Sequence, residues 1–182
     1  ESTLKQLADA KLRRELQEKI KRVQKELKIT TVFVTHDQDE AMIMSDQIHL
    51  MNQGEIEQSG KPVQLYTHPV SKFAAEFIGH YNILDDRKLK ALLPEKNFKE
   101  GYYAIRPETV QLQNTKMDDQ DMLVFEAVVD DFISRGNVLR YTLRCKDIRF
   151  TSEVLFRSFA LFDIGQKVYV GIEPHNILAI RD

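Results

Sequence analysis

Leu12, Leu16, Ile20, Val23 and Leu27 follow one another at spacings of four, four, three and four, which aligns them in one stripe of a helix. The pattern predicts an amphipathic helix over residues 9–28, with Asp9 placed as its N-cap and Glu15–Lys19 and Glu18–Arg22 as i,i+4 pairs on the solvated face. Residues 29–35 (ITTVFVT) form a short β-branched run without polar alternation, as in a strand covered on both faces within a parallel sheet. Asp37 and Glu40 then stand at capping-box spacing before Ala41, Met42 and Met44, so a second helix follows, with Asp37 capping and Glu40 reaching back. The opening alternation is α, β, α.

Two strand-like stretches flank Asn52, Gln53 and Gly54 and predict a hairpin over residues 47–59 with glycine at the turn. A helical turn fits residues 63–66, ahead of Pro69. Ser71 is suited to cap a short helix carrying Phe73, Ala74, Phe77 and Ile78, closed by Gly79. Past Tyr81 the helical stripes fade apart from a short candidate over residues 88–93. Alternating segments take over at 102–105, 123–129, 138–145, 167–173 and 177–180. In the third of these Leu139, Tyr141, Leu143 and Cys145 share one face, and Arg140, Thr142 and Arg144 the other. Several short strands between polar turns predict a small β-barrel or sandwich, with a boundary near residues 80–86. No internal repeat is visible at this level.

Composition narrows the function classes. Twenty-six basic residues face 28 acidic ones for a formal charge of -2, which does not mark nucleic acid or an anionic membrane as a partner. With 42% hydrophobic and 30% charged residues, the chain has the composition of a folded protein. The single Cys145 excludes an internal disulfide and a cysteine-only zinc site, and fits a reducing compartment. No apolar run is long enough to predict a transmembrane helix or a signal-peptide core.

The strongest candidate for chemistry is His36, which follows the predicted strand and precedes the capped helix. In an open α/β sheet that is where ligand meets the carboxyl end of a strand, and an imidazole there can hydrogen-bond a phosphate oxygen or an attacking water. The plainer alternative is that His36 only caps or packs. A metal shared by His36 and Glu40 lacks an evident third ligand, and His49, His68, His80 and His175 have no ligand spacing. Arg106, beside Pro107 and Glu108, is expected to hold a turn by bonding a carbonyl or a carboxylate. Arg135, Arg140, Arg144 and Arg149 lie among Asp130, Asp131 and Asp147. This reads as a mixed-charge strand face and not as a nucleic-acid groove, which also needs stacking aromatics.

The string Thr35-His36-Asp37-Gln38-Asp39-Glu40-Ala41-Met42, followed by Ser45-Asp46, Met51-Asn52-Gln53-Gly54-Glu55 and Phe77-Ile78-Gly79, resembles the switch-histidine region of bacterial ABC importer ATPases. Ile105-Arg106-Pro107-Glu108, with Val110 and Leu112, resembles the opening of the accessory oligomer-binding-like β-domain that follows the ATPase domain in such importers. Residues 77–84 look most like the polyamine (spermidine/putrescine) type, with the iron, sulfate and sugar types left open by the resemblance. The resemblance implies an α+β chain: residues 1–80 as a truncated α/β ATPase-domain remnant, and residues 81–182 as a small regulatory β-barrel. It implies that His36 is the switch histidine, contacting the γ-phosphate of ATP between two ATPase subunits, with ATP and magnesium bound only in the intact subunit. It further implies a homodimer, permease and substrate-binding-protein partners, and a cytoplasmic position on the inner face of the membrane.

No G-x-x-x-x-G-K-[ST] loop and no LSGGQ-type signature occurs in the sequence, so the chain is expected to be the carboxyl-terminal portion of such a subunit and inactive alone. The amino-terminal edge departs from the family. Where the family has Asp-Glu-Pro and a Ser-Ala-Leu-Asp-type loop, this chain has Glu1-Ser2-Thr3 and Lys5-Gln6-Leu7-Ala8-Asp9, so only His36 is carried over. A different class of function, a free-standing module binding a small ligand or nucleic acid without ATPase activity, is the competing reading. It rests on the missing phosphate loop.

Overall fold

A computed structural model describes residues 2–156 and 161–182. Helix α1 (Ser2–Leu27) starts well before the predicted cap, so Asp9 lies inside the helix, and Glu1 falls outside the described residues. Helix α2 (Gln38–Met44) follows a segment that is not a strand. Residues 29–35 pair with no described segment of the chain; Val32 is 87% and Val34 90% exposed. A strand needs neighbours for its N–H and C=O groups, and none of the described segments supplies them here. The α1 stripe is likewise uncovered, from Ile20 at 44% to Leu12 at 65% exposure.

The predicted hairpin forms as β1 (Ile48–Asn52) and β2 (Glu55–Gly60). Both turn residues have positive φ, Gln53 at 49° and Gly54 at 88°, the conformation that matches the twist of the flanking strands. Helices α3 (Pro62–Thr67) and α4 (Lys72–Gly79) follow, and the Ser71 side chain caps α4 by accepting from the Ala74 N–H at 3.3 Å. The left-handed residue that ends α4 is His80, not Gly79. Gly79 is needed for a different reason: a Cβ there would lie 2.4 Å from the Tyr81 ring. Leu50, Leu65, Ala74 and Ile78 form the small core of this part.

Strand β3 (Asn82–Asp85) leads into α5 (Asp86–Leu92), capped by the Asp85 carboxylate on the Lys88 N–H at 2.7 Å. The remaining strands are β4 (Tyr102–Ile105), β5 (Gln111–Gln113), β6 (Leu123–Arg135), β7 (Val138–Cys145), β8 (Ile148–Leu155), β9 (Lys167–Ile172) and β10 (Leu178–Ile180). They make a three-stranded sheet, β10-β4-β3, and a curled five-stranded sheet, β5-β9-β6-β7-β8, with every ladder antiparallel. The domain is α+β with a half-barrel. Its outer strands β5 and β8 run in the same direction without pairing, flanking a groove of about 520 Å³. Leu139, Tyr141 and Leu143 are buried as their alternation requires, in a core with Phe125, Val129, Phe150, Val168 and Val170.

Three strands were not expected from the sequence. In β3 one of the two inward positions is the polar Asn82, and β5 has three residues, so neither shows an apolar period. β8 does alternate Ile148, Phe150, Ser152 and Val154 inward, but its hairpin uses Lys146-Asp147, with Lys146 at φ 54°, in place of a glycine signal. The free edge of β8 is capped by a side chain: Asn82 donates from Nδ2 to the Thr151 carbonyl (2.8 Å) and accepts from the Thr151 N–H (2.6 Å). Its amide thus stands in for a neighbouring strand.

The fold also contains a repeat that the sequence hides. Ile105-Arg106-Pro107-Glu108-Thr109-Val110 and Ile172-Glu173-Pro174-His175-Asn176-Ile177 each leave a strand, make one 3-10 turn and enter another strand. Arg106 and Glu173 have φ/ψ of -70/131° and -70/133°. Pairing is reciprocal: Gln111 sits opposite Gly171 and Leu178 opposite Ala104, so β5 lies on β9 as β10 lies on β4. Only an isoleucine, a proline and a β-branched aliphatic persist between the copies, because the turn needs a fixed φ and two inward anchors and nothing more.

Candidate functional site

Thr35, His36 and Asp37 form the loop into α2. The Asp37 carboxylate accepts from the Glu40 N–H at 3.1 Å, so the predicted cap is present. Glu40 does not reach back, because the Asp37 N–H is taken by Thr35 Oγ1 at 3.0 Å. Instead Glu40 Oε2 accepts from Thr35 Oγ1 (2.8 Å), and Oε1 accepts from Gln17 Nε2 (3.2 Å) on α1 with Arg13 at 3.8 Å. The far end of α2 is tied to the same helix, where Lys21 Nζ donates to the Ile43 carbonyl at 2.6 Å. Buried Gln17, and not the leucine stripe, is therefore the contact face of α1 within the described chain. Both neighbours of His36 are fixed by this brace, while His36 itself is exposed and its side chain bonds to none of the described residues.

The other histidines serve local structure. His49 bonds Ser59 at 2.7 Å, His68 bonds Thr67 at 2.8 Å, His175 faces Glu173 at 3.2 Å, and His80 supplies the left-handed turn. Arg106 acts as expected at its turn, with Nη1 3.6 Å from Glu108 and Nη2 donating to Asn176 Oδ1 at 3.5 Å, which joins the two repeat copies. Three of the four arginines of the basic strand face pair internally: Arg140 donates to Glu153 (2.6 Å), and Arg144 to Asp130 (2.8 Å) with Arg149 beside it (3.3 Å). Asp130 sits at the irregularity in β6 where pairing with β7 slips by one residue, which aims its carboxylate at both arginines.

Nothing in the local sequence signals the contact between α3 and the half-barrel. Tyr66 donates to Glu108 at 2.9 Å, and Tyr81 donates to the Tyr66 carbonyl. Burial, reinforced by the bond to Glu108, pushes the Tyr66 phenol up to about 12, and burial raises that of Tyr81 as well. At the carboxyl end, Arg181 exchanges backbone bonds with Val70 and Lys72 at 3.0 Å, and Lys72 pairs with Asp182 at 2.9 Å. Ala75, Tyr81, Ala104 and Ile180 form a small core across this contact.

Residues 103–180 match the TOBE domain family. Over 179 residues the chain is 38% identical to the spermidine/putrescine import ATP-binding protein PotA of Bacillus thuringiensis subsp. konkukian (strain 97-27), covering 95% of this chain and 50% of that protein. The PotA proteins of Bacillus thuringiensis (strain Al Hakam) and Bacillus anthracis are also 38% identical, over 181 residues, with the same coverage. The chain matches the carboxyl-terminal portion of ABC importer ATPase subunits. It spans about half the length of the relatives it matches, and its half-barrel lies within the residues that match the TOBE domain family. No described helix of the chain is long and apolar enough to cross a membrane.

Proposed function

We propose that this chain is the carboxyl-terminal part of the ATPase subunit of an ATP-driven polyamine importer, with His36 as its switch histidine. Residues 1–80 then belong to the motor and residues 81–182 to the accessory regulatory domain. The observation that carries the reading is the state of His36: an exposed imidazole with no partner among the described residues, on a loop whose two flanking residues are tied down, inside the string that resembles the family. His80 is exposed as well, but its place is explained by the left-handed turn that ends α4, whereas His36 sits on a braced loop inside the family-like string.

The matched relatives are named for spermidine/putrescine import and ATP binding, and those functions are extended here to the protein to which this chain belongs. In that protein ATP and magnesium bind in the intact subunit, held by a phosphate loop that these 182 residues do not contain. Two subunits pair, dock on permease subunits at the inner face of the membrane, and receive solute through a binding protein. The exposed stripe Leu12–Leu16–Ile20–Val23–Leu27 and the open 29–35 segment favour cover by further protein, whether the rest of the subunit or a second copy.

In the intact subunit, His36→Ala is expected to lower ATP hydrolysis about 100-fold while ATP affinity stays within about twofold, because the histidine orients reacting groups and does not cradle the phosphates. Hydrolysis at the parental rate would return His36 to a structural role. The 182-residue chain alone is expected to release phosphate only at background.

A further inference from the structure

We infer that Glu40 is a positioning residue for His36, setting the histidine's place through Thr35 and coupling it to helix α1; the inference rests on the switch-histidine reading. Glu40 holds the junction of three segments. One carboxylate oxygen accepts from Thr35 Oγ1 at 2.8 Å, and the other accepts from Gln17 at 3.2 Å with Arg13 at 3.8 Å. Thr35 Oγ1 relays the contact, since the hydroxyl that donates to Glu40 accepts from the Asp37 N–H at 3.0 Å. His36 therefore stands between two residues that are joined over its back by one hydroxyl, and that hydroxyl is oriented by Glu40.

The geometry requires a carboxylate and not merely a polar side chain. All the described groups that converge on the Glu40 side chain are donors: a hydroxyl, an amide N–H2 and a guanidinium. A carboxylate is acceptor-only and satisfies them together, whereas a glutamine turns an N–H2 toward at least one donor. The side chain is 18% exposed, so water compensates poorly for a bond lost here. Because Arg13 and Gln17 lie one turn apart on α1, a shift of that helix reaches the loop through Glu40, and Lys21 on the Ile43 carbonyl makes α2 follow as a unit. The apolar stripe of α1 is open to a further partner, so α1 is the element through which such a partner would move His36.

The test uses the full-length subunit carrying these residues. Glu40→Gln is expected to lower kcat for ATP hydrolysis about tenfold with KM for ATP within about twofold, since a displaced catalytic group loses rate without losing nucleotide contacts. Thr35→Val should do the same, and Thr35→Ser, which keeps the hydroxyl, should restore most of the rate. If Glu40 acts through His36, adding Glu40→Gln to His36→Ala lowers kcat no further. A full tenfold additional loss in that background, or equal rates for Thr35→Val and Thr35→Ser, would overturn the inference.

Amide hydrogen exchange of Asp37 and Glu40 separates the two claims. Faster exchange in Glu40→Gln together with an unchanged rate in His36→Ala would retain the brace but remove the switch reading. A low rate in His36→Ala with parental rate and exchange in Glu40→Gln would retain the switch and sink the positioning role. If Glu40→Gln does not fold, the Thr35 pair decides alone.

Discussion

Leu16 on α1 and Leu143 on β7 are both leucines that periodicity assigns to an inner face, yet one is 55% exposed and the other fully buried. The same contrast separates the segment 29–35 from the curled sheet: both are β-branched, but only the sheet has partners for its backbone. Periodicity identifies the face that seeks cover. It does not say whether the cover lies in the same chain, and here the half-barrel contains its own cover while α1 and the open segment do not.

Backbone protection gives the largest test of that contrast. In this chain the amides of Val32 and Val34 are expected to exchange on the order of a thousandfold faster than those of Tyr141 and Leu143, which lie in a ladder bonded on both sides. Equal protection would mean that a second molecule covers the segment, and light scattering would then give the dimer directly.

Side-chain truncation sharpens it. Tyr141 is 1% exposed, packs edge-on against Phe162 and accepts from the Phe162 N–H at 3.2 Å, so Tyr141→Ala should cost about 3–5 kcal/mol in denaturant unfolding. Leu16→Ala on the open stripe should change stability by no more than about 0.5 kcal/mol. A large effect of Leu16→Ala would place that stripe in an interface.

Asn82 probes the one place among the described residues where an edge strand is closed by a side-chain amide. Removing the amide in Asn82→Ala leaves the Thr151 N–H and carbonyl without their partner, at a cost of about 1–3 kcal/mol, while the β6–β7 ladder stays protected.

The smallest effect concerns the join between α3 and the half-barrel. The Tyr66 phenol is raised from an ordinary 10.0 to about 12 in the folded chain, so the stability it contributes is complete below the ordinary value and is lost as pH rises through the folded one. Tyr66→Phe should flatten the alkaline fall in melting temperature, though not abolish it, because Tyr81 is shifted in the same direction. An unchanged alkaline profile would show that the two parts do not communicate through this bond.

Local chemistry made the α2 cap, the 53–54 turn, the Ser71 cap and the alternation of β7 legible from the residues alone, since each depends on neighbours within a few positions. His36 was legible by resemblance, and Arg106 by its place beside Pro107 and Glu108. The partners of Glu40 were not: capping-box spacing pointed it back along its own helix, while Gln17, 23 positions away, competes for the carboxylate. Tyr66 on Glu108 and Asn82 on Thr151 join residues 42 and 69 positions apart, and no periodicity encodes such pairs.

The sequence by itself determined which faces are apolar, where the short helices and the first hairpin lie, and that acid and base are interleaved along the strand face. Tertiary structure alone decided that residues 29–35 pair with no other described segment, that two nearly unrelated hexapeptides make the same turn and pair reciprocally, and that Glu40 turns toward α1. The reason is the range of the forces involved. Caps, turns and alternation are settled by bonds and sterics within one or two turns of chain, whereas pairing, burial and the choice among donors depend on which distant groups arrive together.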